Sequence, residues 1–154
     1  MKNPKYTEQL YAIIFLSLGC AFIIASLFCF SGILKPTSHA MIQSNRINGI
    51  VFFVLGIVFC IMKIILTGLA SKKDRSDREL LLNGIPVMGA VEKVYLQKYM
   101  QYGKKSPYRV LYTYNYQGHD FHGKSHLLWE KPQVRESDSI TVFVNEFGKS
   151  AIQL

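Results

Sequence analysis

Two uncharged runs dominate the first half of the chain. Residues 12–34 read AIIFLSLGCAFIIASLFCFSGIL, with no charged position, and residues 47–70 read INGIVFFVLGIVFCIMKIILTGLA, with Lys63 as the one charge. A helix packed in a soluble core has polar positions every three or four residues, and these runs have none at that spacing. At about 1.5 Å per residue, each run is long enough for the roughly 30 Å hydrocarbon core of a bilayer. The pattern therefore predicts two transmembrane helices. A cleaved signal peptide is the competing reading of the first run, since Lys2 and Lys5 precede it and TSHA (37–40) offers small residues. A signal core of about 7–15 residues is much shorter than this run, which argues against cleavage.

After residue 84 the period changes from helix to strand. PVMGAVEKVYLQKY alternates through Val87, Gly89 and Val91, then resumes one position out of phase at Val94 and Leu96. A slip of one near Glu92-Lys93 predicts a bulge or sharp bend in a long strand. YRVLYTYNY (108–116) places Tyr108, Val110, Tyr112, Tyr114 and Tyr116 on one face, SITVFV (139–144) aligns Ile140, Val142 and Val144, and SAIQL (150–154) ends the series. Gln117-Gly118 reads as a two-residue hairpin turn. It pairs Tyr116 with His119, Tyr114 with Phe121, Tyr112 with Gly123, Val110 with Ser125 and Tyr108 with Leu127. A one-residue slip would bury Lys124 and expose Phe121, so the register is strongly specified. The expected fold is a transmembrane two-helix hairpin followed by a small all-β, about five-stranded, barrel-like domain.

This gives an N-terminal tail (1–11), first span (12–34), external loop (35–46), second span (47–70), juxtamembrane linker with a short helix (71–84) and β domain (85–154). The short helix is expected to start afresh at a capping box of Ser76 and Glu79 and to stop at Asn83-Gly84. Ser17, Ala21, Ala25 and Cys29 recur every four positions on the first span, and Gly49, Gly56 and Cys60 mark a small face on the second, so Ser17, Ala21, Ala25, Gly49 and Gly56 are the expected helix-packing residues.

Charge sets the orientation. Lys2, Lys5, Lys72, Lys73, Arg75 and Arg78 lie on the side of the two termini, against Lys35 and Arg46 in the connecting loop. Six basic residues against two place both termini in the cytoplasm of a cell (inner or plasma) membrane. The formal net charge of +8 divides into five basic and one acidic residue over 1–71 and thirteen basic and nine acidic over 72–154. Lys72, Lys73, Arg75 and Arg78 form a collar that suits anionic lipid headgroups, so nucleic acid is not needed to explain the excess. Cys20, Cys29 and Cys60 all fall inside the spans, where they serve as small apolar fillers rather than a disulfide framework.

Candidate chemistry is sparse. His119, His122 and His126 fall within eight residues, yet the hairpin register puts His119 at the turn, and Lys124 and Arg109 beside the other two. Cationic neighbours oppose a divalent ion, so a solvated polar face is expected there, with no metal and no cofactor. No strand-to-helix nucleophile elbow and no phosphate-cradling glycine loop occurs, so no catalytic residue is assigned and no enzyme is expected. The loop QKYMQYGKKSPY (97–108) interleaves Lys98, Lys104 and Lys105 with Tyr99, Tyr102 and Tyr108, a pattern that suits a protein or lipid contact.

GIPVMGAVEKV, YRVLYTYNYQGHDFHGKS and DSITVFVNEFGKSAIQL together resemble a bacterial domain-of-unknown-function family of small membrane proteins. Gly84, Gly89, Gly118, Gly123, Ser125 and Ser150 carry the resemblance over residues 84–154, while VNEFGKS replaces the Asp-Pro or Asn-Pro turn common in the family. The resemblance implies flanking transmembrane helices and a small β-barrel-like domain, and supplies no catalytic residue. The expected function is a non-enzymatic, membrane-anchored interaction module or accessory subunit. Its partners are membrane lipid and another membrane protein or a second copy of itself. Alternatives are a lipid or small-ligand sensor at the membrane surface, and a subunit of an oligomeric transporter or channel, for which only Lys63 speaks.

Overall fold

A computed structural model describes residues 3–34 and 44–154. The connecting-loop assignments at 35–43, and Lys2, lie outside the described residues. Helices α1 (Thr7–Phe30) and α2 (Asn45–Asn83) precede strands β1 (Ile85–Leu96), β2 (Tyr108–Tyr116), β3 (His119–Lys124), β4 (Ser139–Val144) and β5 (Ser150–Ile152). The chain divides into two compact units, one of residues 8–69 and one of residues 1–7 with 70–154.

In the helical unit α1 and α2 run antiparallel. The Ser26 hydroxyl donates to the Gly49 carbonyl at 2.8 Å, Phe15 stacks on Phe59 and Phe22 lies between Phe52 and Phe59. Both helices are long and apolar enough to cross a membrane. The packing face of α1 matches the expected stripe at Cys29, which is buried, and departs from it elsewhere. Ser17 and Ala21 are exposed and Ala25 is half-buried, whereas Ala12, Gly19 and Ser26 are buried. These three recur every seven positions, the spacing of a seam between closely aligned helices, while a strict four-residue repeat drifts around the helix. On α2 the buried glycines are Gly49 and Gly56. A Cβ on Gly19 would lie 2.9 Å from the Cys60 sulfur, and one on Gly56 would lie 2.7 Å from Ile23. Backbones this close require glycine.

α2 continues through residue 83 without a break, so the separate juxtamembrane helix is absent. Salt bridges from Arg78 to Asp74 (2.8 Å) and Arg75 to Glu79 (3.1 Å) link successive turns across the expected new start. Such pairs favour a continuous helix. Gly84 then ends it, its N–H bonding the Leu80 carbonyl.

The second unit holds a curled five-stranded antiparallel sheet, a half-barrel ordered β3-β2-β1-β4-β5. β1 is its spine. Its first half pairs with β4 and its second half with β2, and the register shifts between Val91 and Lys93, where the change of phase foretold it. The sheet stays open: β3 and β5 are its edges, so the barrel-like fold expected is a half-barrel. Side chains cross the gap instead. The Tyr112 hydroxyl lies 3.1 Å from the Ser150 hydroxyl and the Tyr114 hydroxyl donates to the Gly148 carbonyl at 2.6 Å. Val91, Val110, Tyr112, Tyr114, Ile140, Val142, Val144 and Ile152 form the core in the concave face.

The β2–β3 hairpin has the expected register from Tyr116–His119 to Leu111–Lys124. Gln117 and Gly118 both have positive φ, as a turn of this hand demands. Tyr112 covers Gly123 so closely that a Cβ there would fall 2.2 Å from the ring. Beyond Lys124 the pairing departs from expectation, because Tyr108 pairs with Leu128 rather than Leu127. Ser125 causes the slip: its hydroxyl accepts from the Val110 N–H at 3.0 Å and donates to the His126 carbonyl at 2.9 Å, taking the place of ladder bonds.

Candidate functional site

The feature with most chemistry is a cavity of about 220 Å³ where the N-terminal segment, the end of α2 and the sheet meet within the second unit. The N-terminal segment gives Lys5 and Tyr6, α2 gives Lys73, Asp77 and Leu81, and the sheet gives Arg109, Lys124, His126, Lys149 and their neighbours.

The N-terminal segment is bound to the sheet unit by backbone and side chain. The Leu127 N–H donates to the Lys5 carbonyl at 2.9 Å and the Trp129 indole N–H to the Pro4 carbonyl at 2.6 Å. Tyr6 is only 2% exposed, and its hydroxyl donates to Asp77 at 2.8 Å and reaches Asp74 at 3.3 Å. Burial and these two carboxylates push the Tyr6 phenol far above its ordinary range, so it remains a donor. Lys5 pairs with Asp74 at 3.2 Å. Burial pushes the Asp74 carboxyl up, but Lys5 and Arg78 together outweigh it and hold it below the ordinary aspartate value.

On the sheet side, Arg109 Nη2 donates to the Thr7 hydroxyl at 2.6 Å, while its buried Nε makes no hydrogen bond among the described residues. Lys149 donates to the Ser76 hydroxyl at 2.5 Å. His126 is half-buried here, which corrects the expectation that it belongs to a solvated face. Burial lowers its pKa, Lys5 lowers it further, and Asp77 and Asp74 oppose the shift. His122 is exposed elsewhere, with Nδ1 3.3 Å from Glu92. Among the described residues no three histidine, cysteine or acidic side chains group closely enough to hold a metal ion.

The residues singled out in the 97–108 loop separate into two sets. Gly103 and Lys104, both at positive φ, turn a small hairpin in which Tyr102 pairs with Lys105. Tyr102 packs edge-on against Trp129 at 5.9 Å, and Tyr108 begins β2. Lys98 and Lys104 are exposed and Tyr99 is wholly so. Beside this loop runs an open groove of about 540 Å³ that includes Leu128, Trp129, Pro132, Val134 and Leu154. Of the basic collar, Arg75 and Arg78 are spent in exposed pairs along α2, Lys72 is exposed, and Lys73 lies 5.5 Å from the Tyr6 ring centre at the cavity.

Sequence reasoning missed the cavity because its wall joins Lys5 and Tyr6 to Lys73 and Asp77 and to residues scattered from Arg109 to Ile152, and PKYT carries no local sign of docking. The one available signal was Arg109, the single charged residue of β2. No family model, curated protein or solved structure matches the chain, so the family resemblance rests on the glycine and aromatic motif alone.

Proposed function

We propose that this is a two-span protein of the cell membrane, with both termini cytoplasmic, whose half-barrel is a non-enzymatic interaction module or accessory subunit for another membrane protein or a second copy of itself. The outer surface of the helix pair supports the membrane reading. Ile14, Leu16, Ile24, Leu27, Ile57, Ile61, Ile64 and Ile65 are all exposed, and only 17% and 11% of the most apolar stretches of the two helices are buried. A core helix of a soluble domain is mostly covered by its own chain, whereas here a bilayer is the natural cover. The basic excess beside the termini supports the sidedness.

The observation that carries the interaction reading is the pair of aromatic side chains standing free of the sheet unit, Tyr99 fully exposed and Phe147 91% exposed. Rigid aromatic rings of this kind anchor protein contacts. A photo-crosslinking residue at Tyr99, activated in intact membranes, is expected to give one adduct of defined mass. A chain that stays uncrosslinked, and stays monomeric after mild detergent extraction, would remove this reading. The cavity favours a second reading, in which the module senses a small ligand or lipid headgroup at the membrane surface.

A further inference from the structure

We infer that the cavity between the N-terminal segment, α2 and the sheet binds a phosphate group. This rests on the sensing reading above and names its ligand chemistry. Five permanent cations line the cavity, Lys5, Lys73, Arg109, Lys124 and Lys149, against one carboxylate, Asp77. With Asp74, which pairs with Lys5 at 3.2 Å, five cations against two carboxylates leave a local excess of three positive charges in a partly enclosed space, where screening by salt is weak.

Two donors are uncommitted. The buried Nε of Arg109 has no acceptor, and Lys124 makes no hydrogen bond or ion pair among the described residues. An orphaned guanidinium N–H is costly unless an acceptor arrives, and arginine's fork matches the oxygens of a phosphate. The donors come from the N-terminal segment, α2, β2, β3 and the turn before β5, so they converge from several directions, as a tetrahedral anion with several acceptor oxygens requires. The volume of about 220 Å³ is below that of sites for drug-sized ligands and suits a headgroup or a small anion. In sequence Lys73 follows the second apolar run closely, so a lipid phosphate is one source of the anion if that run spans. The phosphate can therefore come from a lipid headgroup or from solution.

The test uses the full chain in a neutral maltoside detergent at fixed ionic strength. Inorganic phosphate, short-chain phosphatidic acid and short-chain phosphatidylcholine are titrated separately, with calorimetric binding and the melting temperature from Trp129 fluorescence as readouts. Phosphate or phosphatidic acid is expected to bind saturably and raise the melting temperature. Arg109→Gln and Lys124→Gln should each weaken that binding about tenfold, since a hydrogen bond to a charged group is worth roughly that factor. Lys124 is exposed, so its variant keeps the test valid if the Arg109 variant fails to fold. Joint substitution of Lys98, Lys104 and Lys105 by glutamine should leave binding unchanged. Comparable affinity for phosphate and phosphatidic acid identifies a soluble anion, and binding of phosphatidic acid alone identifies a lipid. Absence of saturable binding, equal binding of phosphatidylcholine, or loss of binding only in the loop variant would overturn the site. Any of these leaves the Tyr99 crosslinking result untouched, so the two readings fail separately.

Discussion

Single residues show where local pattern was enough and where it was not. Tyr112 over Gly123 was legible, because a hairpin turn at Gln117-Gly118 and strict alternation leave one register that buries the rings. His126 was not, because Ser125 interrupts the ladder with its own hydroxyl and moves the next residues out of the strand's geometry. The position has a measurable consequence. Burial holds the His126 pKa below the ordinary 6.5, so the unfolded chain binds the proton more readily than the folded one. Its contribution is complete above pH 6.5 and declines as pH falls below that value toward the depressed folded pKa. Asp74, whose carboxyl lies below the ordinary 3.8, keeps its contribution throughout that range and loses it only in stronger acid. Melting temperatures measured from pH 7 to pH 5 should therefore fall less steeply in His126→Gln than in the parent chain. Parallel curves would mean that His126 is solvated after all.

At the level of elements, strands were easier to read than helix faces or helix ends. The change of phase at Glu92-Lys93 marked the bulge in β1, and the bend there lets one strand pair with β4 and then with β2. The last turn was harder, since VNEFGKS lacks a proline. Asn145 supplies the stop instead, its side-chain oxygen accepting from the Phe147 and Lys149 N–H groups at 3.1 and 2.8 Å. For α1 the four-residue repeat of small side chains leaves Ser17 and Ala21 outside and buries only its far end at Cys29, whereas Gly19 and Ser26, seven positions apart, meet α2. Gly56→Leu tests that seam. The added side chain meets Ile23 and the Gly19 carbonyl, and overpacking of this kind costs about 1–3 kcal/mol. Ser17→Leu should cost almost nothing, because Ser17 is exposed. Thermal unfolding in detergent, followed by loss of helical signal, should separate the two variants.

The order of the whole chain, two apolar helices and then a five-stranded curled sheet, follows directly from the shift in hydrophobic period. What the period cannot carry is contact between distant segments, and the N-terminal segment is the main case. Tyr6 is buried against residues of α2, and the only tryptophan of the chain bonds to Pro4. Deleting residues 1–6 should therefore destabilise the sheet unit by about 3–5 kcal/mol, the usual cost of removing a buried aromatic side chain. It should also shift the Trp129 emission to the red. Denaturant titration monitored by that emission gives both quantities, and an unchanged midpoint would mean the segment is a passive tail.

That segment also imposes a schedule on synthesis. Pro4 leaves the ribosome 125 residues ahead of Trp129, the donor that finally grips it. Until then Tyr6 has no sheet to hide in, and the phosphate-binding pocket has only part of its wall. Contacts so far apart in sequence close slowly. Both helices and all five strands must therefore be made before that wall is complete, so a half-made chain has no finished pocket in which to hold a ligand.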